Sequence, residues 1–470
     1  MDKQLIYPMA EKYQEYLIDE SKFSGTADSI SFPESEAEIS MILKEMKRSD
    51  TPITIQGGKT GIVGGAVPLE GHIMNLREMN RMKEFQRQDA ANGLITVEAG
   101  MSLAKLQEVI ARETRKNPLI WPPSPTEGTA SIGGILAAAA KGTGAFHYGD
   151  TRQYVQAIRL IDGRGKVQYL DRWVQADSYL LDQILGGEGI YGVITEATLI
   201  LVPDYEEKWG ISFFFKELSQ TDSFVQGLLA ADEECQNNII AAEYFDKNTI
   251  DQIEARKSNM AKIKEIPDVE DGNKHMVYVE IGGSEEEIER TAAILMELAE
   301  ESDSDAESAW AVSGETEIQK MHAFRHAAAE TANLLIEEAR RTEPRITKLG
   351  TDIPQKHKTL KEAVELYQSD LNSEGIDFCM FGHCRDMHLH VNILPKTYEE
   401  YQKGKEMIGV WIKTVQHEEG KIGAEHGIGK LKKKWRDYIL SEEEQQQMLE
   451  LKEVMNPDGI WNKANIFGDE

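Results

Sequence analysis

The sequence predicts an α+β protein of more than one domain, and three observations carry that expectation. At 470 residues the chain is too long for one hydrophobic core. Its first half is rich in glycine and alternates strand-like apolar runs with amphipathic helical stretches. From Pro203 onward glycine thins out, and strand-like runs lead into helices, the pattern of a sheet covered by helices. The expected domains are residues 1–203, 204–420 and a C-terminal segment, 421–470.

Taken in order, the elements have local causes. Ser35 precedes a helical stretch, residues 36–48, whose Ile39, Ile42, Leu43 and Met46 share one face. Its hydroxyl suits an N-cap. Residues 51–56 read as a strand that enters the loop Gly57-Gly58-Lys59-Thr60-Gly61-Ile62-Val63-Gly64-Gly65-Ala66. Backbone N–H groups of such a loop can approach a pyrophosphate. The spacing is neither that of a Walker loop nor of a dinucleotide fingerprint, so the loop alone is equally consistent with a turn.

After Trp121-Pro122-Pro123-Ser124-Pro125-Thr126-Glu127, Ser131 is placed to cap an alanine-rich helix through Gly133 and Gly134. Small residues there let the positive helix end approach phosphate. Two more glycine-bearing segments follow, Tyr148-Gly149-Asp150-Thr151-Arg152 and Leu185-Gly186-Gly187-Glu188-Gly189-Ile190-Tyr191-Gly192-Val193-Ile194. In the second domain, residues 211–215 and 275–281 read as strands. Ser284-Glu285-Glu286-Glu287 is a capping box opening a helix to about Ser302. The acidic stretches 265–271 and 300–307 and the basic run 430–436 read as solvated faces.

Composition excludes several classes. A net charge of −29 opposes nucleic acid and anionic membrane surfaces. Three cysteines, Cys235, Cys379 and Cys384, are too few for a disulfide framework or an iron–sulfur cluster. No run approaches the roughly 20 apolar residues of a membrane span, and no signal region opens the chain. A cytoplasmic location is expected.

The chemistry-bearing residues gather late in the chain. His383 and His390 lie in Phe381-Gly382-His383-Cys384-Arg385-Asp386-Met387-His388-Leu389-His390, and Glu425 and His426 in Gly423-Ala424-Glu425-His426-Gly427-Ile428-Gly429. Two imidazoles and a carboxylate suit a divalent metal of the zinc, iron or manganese kind with an open position. His426 is then available as a base beside it. In residues 388–394 strand alternation puts Leu389, Val391 and Ile393 on one face and His388, His390 and Asn392 on the other.

These segments, in this order, resemble the vanillyl-alcohol oxidase superfamily of flavoproteins, with its PCMH-type FAD-binding domain of two α/β subdomains and a cap domain with an antiparallel sheet. The C-terminal motifs resemble its flavin-linked D-2-hydroxy-acid dehydrogenase branch. The likeness runs from about residue 30 to 467. It implies that Gly57, Gly58, Lys59, Thr60 and Gly61 cradle the FAD pyrophosphate. Pro123, Ser124, Ser131, Gly133 and Gly134 would line the flavin and phosphate channel, and Glu188, Gly189, Gly192 and Ile194 the ribose and adenine end. Thr60 stands where relatives with covalent flavin carry histidine, so the FAD is expected to be non-covalent.

Departures from the family pattern are Gln56 for arginine, Lys59 for glycine, Ser124 for aspartate, Ile135 and Ala140 for asparagines and Gly187 for serine. Residues 385–388 read Arg-Asp-Met-His where the family has Gly-Asp-Gly-Asn.

The resemblance further implies a metal held by His383, His390 and Glu425, substrate contacts from Arg325, Lys348 and Asn392, and His426 as base. A small anionic 2-hydroxy acid of the lactate, glycolate or 2-hydroxyglutarate class would give hydride to flavin N5 and leave as the 2-oxo acid. Electrons would pass to a separate acceptor: an electron-transfer flavoprotein, an iron–sulfur subunit or a quinone. Two other readings remain open, an FAD relay subunit of an electron-transfer complex and an oxygen-using flavin oxidase.

Overall fold

The computed structural model describes residues 3–232, 235, 238–304, 308–417 and 425–468. Gly423 and Ala424 of the C-terminal motif, and residues 305–307 of the second acidic stretch, lie outside them. The chain forms two compact units, one of residues 1–142, 150–204 and 424–470 and the other of 143–149 and 205–423.

The first unit is built on two sheets. Strands β1 (Ile6–Pro8), β2 (Ser29–Ser31), β3 (Ile53–Gln56) and β4 (His72–Asn75) form a four-stranded sheet in the order β1-β2-β4-β3. The helix Glu36–Arg48 has its predicted bounds, and Ser35 accepts from the Glu38 N–H. Its Ile39, Ile42, Leu43 and Met46 are all buried, so the 3.6-residue period translates directly into packing. Removing the cap with Ser35→Ala should cost about 1 kcal/mol, readable as a lower denaturant midpoint.

The second sheet holds β5 (Met82–Arg87), β6 (Gly93–Glu98), β7 (Leu119–Ile120), β8 (Val155–Asp162), β9 (Val167–Asp171) and β10 (Gly192–Pro203) in the order β5-β6-β10-β8-β9, with β7 added to β10. Ala197, Leu199 and Leu201 of β10 are buried, and Thr198 and Ile200 between them are not, the period-2 pattern of a strand with one face inward. One core joins both sheets, running through Leu43, Ile53, Val97, Leu106, Ile158 and Leu199. The end of the chain closes it. Ile53 N–H donates to the Ile460 carbonyl (2.7 Å) and Asn462 N–H to the Ile53 carbonyl (2.9 Å), which buries Trp461 completely.

The second unit carries β11 (Glu207–Phe215), β12 (Ile239–Asp246), β13 (His275–Gly283), β14 (Trp310–Ser313), β15 (Leu349–Gly350), β16 (Phe378–His383) and β17 (His388–Ile393) in one sheet, ordered β14-β11-β13-β12-β16-β17-β15. Every neighbouring pair in it is antiparallel. Phe214, Phe245, Met276 and Phe381 from its strands pack with Met321, Phe324 and Ala328 of the helix Glu315–Arg340. The helix Glu285–Glu301 opens with the expected reciprocal Ser284–Glu287 capping box. Among the described residues, no helix is long and apolar enough to cross a membrane.

The basic run corrects one expectation. It is not a solvated helix at its start. Lys430 is half-buried, and its ammonium donates to the carbonyls of Gly64 (3.1 Å) and Gly65 (3.2 Å) and to Asn465 Oδ1 (2.6 Å). Burial lowers its pKa to about 8 despite the nearby Glu188 and Asp19 carboxylates.

Candidate active site

The glycine loop of the first unit is fastened at its base. Gln56 Nε2 donates to the carbonyls of Tyr16 (2.8 Å) and Ala66 (2.7 Å), and Asn75 Nδ2 donates to the Gly57 carbonyl (3.1 Å). Gln56 thus replaces the family's arginine with a group that ties the two ends of the loop together. A Cβ on Gly57 would sit 1.8 Å from Ser131 Oγ, and one on Gly58 would sit 2.4 Å from the Thr129 carbonyl oxygen. Those two glycines are needed for close backbone approach. At Gly61 a Cβ would meet nothing within 4 Å. The loop therefore presses on segment 129–131 at one end and faces open space at the other, which fits a cofactor cradle.

Lys59 sits at φ +59°, in the left-handed region that favours glycine. Its ammonium donates to the Glu15 carbonyl (2.5 Å) and lies 4.5 Å from the Tyr16 ring centroid. Any contribution to a phosphate falls to its backbone N–H. Ser131 Oγ accepts from Gly134 N–H (3.2 Å), and Gly133 packs on Ala99, where a Cβ would come within 2.8 Å. Gln107 Nε2 donates to Ser124 Oγ at 3.3 Å. Pro123 and Ile194 are buried.

Glu188 has a different task from the ribose contact expected of it. Its carboxylate accepts from the N–H groups of Ile428 (2.6 Å) and Gly429 (2.7 Å). Its own carbonyl accepts from Asn462 Nδ2 (2.7 Å) and Asn465 Nδ2 (3.1 Å). Burial raises its pKa, and the two N–H donors oppose that shift. The side chain pins the turn that directly follows His426, a turn in which Gly427 and Gly429 hold φ values of +81° and +53°. Glu188→Ala strands two buried N–H groups and should cost about 2–4 kcal/mol. An unchanged denaturant midpoint would show that the turn is held by something else. Gly189 and Gly192 are close approaches, since a Cβ on either would lie 2.5 Å from Asn462 Nδ2 and the Ile161 carbonyl oxygen respectively.

The second unit gathers three imidazoles on the β16–β17 hairpin. His383 pairs with His388 across the two strands, and His390 pairs with Phe381. Ring centroids lie 5.8 Å apart for His383–His388, 5.4 Å for His383–His390 and 4.8 Å for His388–His390. Leu389, Val391 and Ile393 are fully buried on the other face. The backbone holds Met387 at φ +49°, in the left-handed region that favours glycine. Arg385 is folded into this unit, bonding the Phe146 carbonyl and lying 4.8 Å from the Phe146 ring centroid.

Two carboxylates that the sequence reading missed back these imidazoles. Glu243 of β12 accepts a hydrogen bond from His383 Nδ1, and Asp352 Oδ1 lies 2.9 Å from His388 Nε2. A signal was there: Glu243 is the acid in the otherwise apolar run Ile239-Ile240-Ala241-Ala242-Glu243-Tyr244-Phe245, and a carboxylate is buried only when paired. Imidazoles oriented by carboxylates form the donor chemistry of a zinc, iron or manganese site.

Among the expected substrate residues, Arg325 is buried in the helix Glu315–Arg340, with Nε donating to Glu243 Oε2 at 2.6 Å. Lys348 precedes β15 and donates to Asn333 Oδ1 at 2.7 Å. Asn392 lies on β17 opposite Gly350, and its Nδ2 donates to the His390 carbonyl at 3.3 Å. His383, His390, Arg325, Lys348 and Asn392 thus belong to the second unit, Glu425 and His426 to the first. Cys379 and Cys384 are buried, and burial pushes both thiols up, Cys379 to about 12, consistent with packing rather than thiolate chemistry.

Comparison with known proteins finds two family domains along the chain. A model of the FAD binding domain matches residues 27–171, and one of the C-terminal domain of FAD linked oxidases matches residues 217–466. A D-lactate dehydrogenase of Anaerostipes hadrus is 27% identical over 92% of this chain and 88% of its own length. A D-2-hydroxyglutarate dehydrogenase of Xanthomonas citri pv. viticola is 26% identical over 93% and 89%. Glycolate oxidase subunit GlcD of Bacillus subtilis is 25% identical over 96% and 91%. A solved structure of alkyldihydroxyacetonephosphate synthase superposes with a TM-score of 0.68 at 15% identity, covering 93% of this chain and 76% of that one. That likeness shows the fold.

Proposed function

The chain belongs to the FAD-linked oxidases, and from that premise we propose that it is an FAD-dependent dehydrogenase oxidising a D-2-hydroxy acid of the lactate, glycolate or 2-hydroxyglutarate class. The observation that carries the reading is the carboxylate-backed imidazole cluster on β16–β17, in a chain whose other unit is an FAD-binding domain. His383 and His390, with Glu425, would hold a divalent ion. The glycine loop 57–61 and segment 123–134 would hold the FAD, and Gly189, Gly192 and Ile194 its nucleotide end. Bound FAD supplies the two-electron acceptor for the Cα hydride, and the ion supplies the positive charge that acidifies the substrate hydroxyl.

The chain's own residues do the rest. His426 takes the hydroxyl proton as general base. Lys348 and Asn392 hold carboxylate oxygens. Arg325, whose Nε is given to Glu243, would meet a carboxylate through its remaining nitrogens, and its charge compensates an anion that would be costly to bury alone. Relatives that share the chain's length are named for D-lactate and D-2-hydroxyglutarate, which supports the substrate class and its configuration. Electrons leave to a separate acceptor, an electron-transfer flavoprotein, an iron–sulfur subunit or a quinone, and the site of action is the cytoplasm.

The deciding experiment is anaerobic bleaching of the purified flavoprotein against D- and L-2-hydroxy acids, with elemental analysis of the same sample. Bleaching by one D-acid in protein that contains zinc, iron or manganese is expected. No bleaching by any acid, or prompt peroxide formation in air without metal, would sink the dehydrogenase reading. The flavin should also be non-covalent. Thr60 offers no atom for the histidyl link, so acid precipitation is expected to release all the FAD. Yellow colour left on the denatured pellet would contradict that.

A further inference from the structure

β12 is buried along its whole length, and Glu243 is the carboxylate near its middle. Its backbone is locked from both sides, opposite Tyr278 on β13 and opposite His383 on β16. The side chain is equally constrained. Oε1 accepts from His383 Nδ1, and Oε2 accepts from Arg325 Nε at 2.6 Å. Arg325 is itself fixed, its guanidinium lying 4.6 Å from the Phe381 ring centroid on β16. Three groups from three elements therefore define one geometry: helix cation, strand carboxylate, hairpin imidazole.

The energetics argue that this arrangement serves more than the fold. Taking a carboxylate and a guanidinium out of water is expensive, and well-packed apolar residues of similar volume commonly do as well or better in such places. A charged pair gives what apolar packing cannot: an acceptor of fixed position and permanent negative charge. A carboxylate at Nδ1 fixes the imidazole tautomer with the proton on that nitrogen, so the lone pair is on Nε2.

We propose that Glu243 is a positioning residue for His383, setting its tautomer and ring orientation so that Nε2 is the donor offered to the divalent ion, and that Arg325 acts first as the counter-charge that keeps Glu243 in place. The inference rests on the metal-assisted reading above and deepens it.

The test uses the full chain with its FAD, and Zn(II) and Co(II) as probes. Ion affinity is measured by competition with a chromogenic chelator, and Co(II) absorption reports the ligand field. Glu243→Gln keeps the shape, but its amide can donate to Nδ1 and favour the wrong tautomer. It is expected to weaken Zn(II) about 10–100-fold and to shift the Co(II) bands, with FAD content unchanged. Because Glu243→Gln leaves the Arg325 charge buried without its partner, the double variant Glu243→Gln/Arg325→Met is made as well. It removes both charges and should fold, yet show the same loss of affinity and the same band shift.

Glu243→Asp, which restores the charge on a shorter arm, should recover part of the affinity. If either glutamine variant binds Zn(II) as tightly as the parent with an unchanged Co(II) spectrum, the positioning role is overturned and the metal-assisted reading stands. If the parent protein itself binds neither ion, both fall together.

Discussion

His426→Ala should slow anaerobic flavin reduction by the 2-hydroxy acid roughly a hundredfold or more, the usual scale for loss of a positioned general base. The effect should lie in the reductive half-reaction, because the base acts while the hydroxyl proton leaves and has no part in reoxidation. FAD content should stay at the parent level, since the proposed cradle is fastened by Gln56, Asn75 and Ser131, all left in place by the substitution. The turn that follows should also survive. It is pinned through Ile428 and Gly429 by Glu188, using backbone N–H groups that the substitution leaves in place. Substrate affinity should change little, because carboxylate binding is assigned to Arg325, Lys348 and Asn392. Stopped-flow reduction under anaerobic conditions reads the rate directly. A normal rate would remove His426 from the chemistry and make His388, the added imidazole on the hairpin, the candidate base.

What the sequence made legible is what is local. The helix Glu36–Arg48, its Ser35 cap and the Ser284–Glu287 capping box depend on residues within one or two turns, and the structure has them at the expected places. The alternation in residues 388–393 likewise needs no knowledge of the partner strand, and it put His388 and His390 on one face. The resemblance supplied the fold class and the FAD-binding half, which the family match carries. What stayed hidden depends on contacts between distant segments. Lys430 reads as one of a basic run, yet its ligands are Gly64, Gly65 and Asn465. Glu188 reads as a loop residue of the nucleotide end, yet its partners Ile428 and Gly429 lie far down the chain. Arg325 was assigned from the family's substrate arginine, and nothing near it in sequence announces that Glu243 takes its Nε. Lys59 shows the same limit at short range: a lysine in a phosphate-type loop suggests an anion, but the ring and carbonyl that engage it come from residues 15 and 16.

Loss of the ion should be as severe as loss of the base, and it should separate cleanly from the flavin. His390→Ala is expected to retain FAD while losing bound metal and most turnover. The proposed pyrophosphate loop is in the first unit, fastened by Gln56 and Asn75, whereas His390 is on β17 of the second. A ligand to the ion contributes directly to its affinity. Its removal should therefore exceed the roughly 10–100-fold loss typical of a group that only orients a ligand. The comparison with Glu243→Gln follows from this: the ligand variant should be the weaker binder of the two. His390→Ala should also leave the sheet intact, because its strand neighbours Leu389, Val391 and Ile393 supply the buried apolar face and the imidazole lies on the other. Glu425→Ala should behave like His390→Ala in metal content and turnover. The measurements are flavin absorbance, elemental analysis and steady-state rate on one preparation, before and after dialysis against a chelator. Full activity after chelation in either variant would show that the reaction needs no ion. Retained ion in His390→Ala would instead shift the ligand set to His383 and His388, whose rings stand 5.8 Å apart and are each faced by a buried carboxylate.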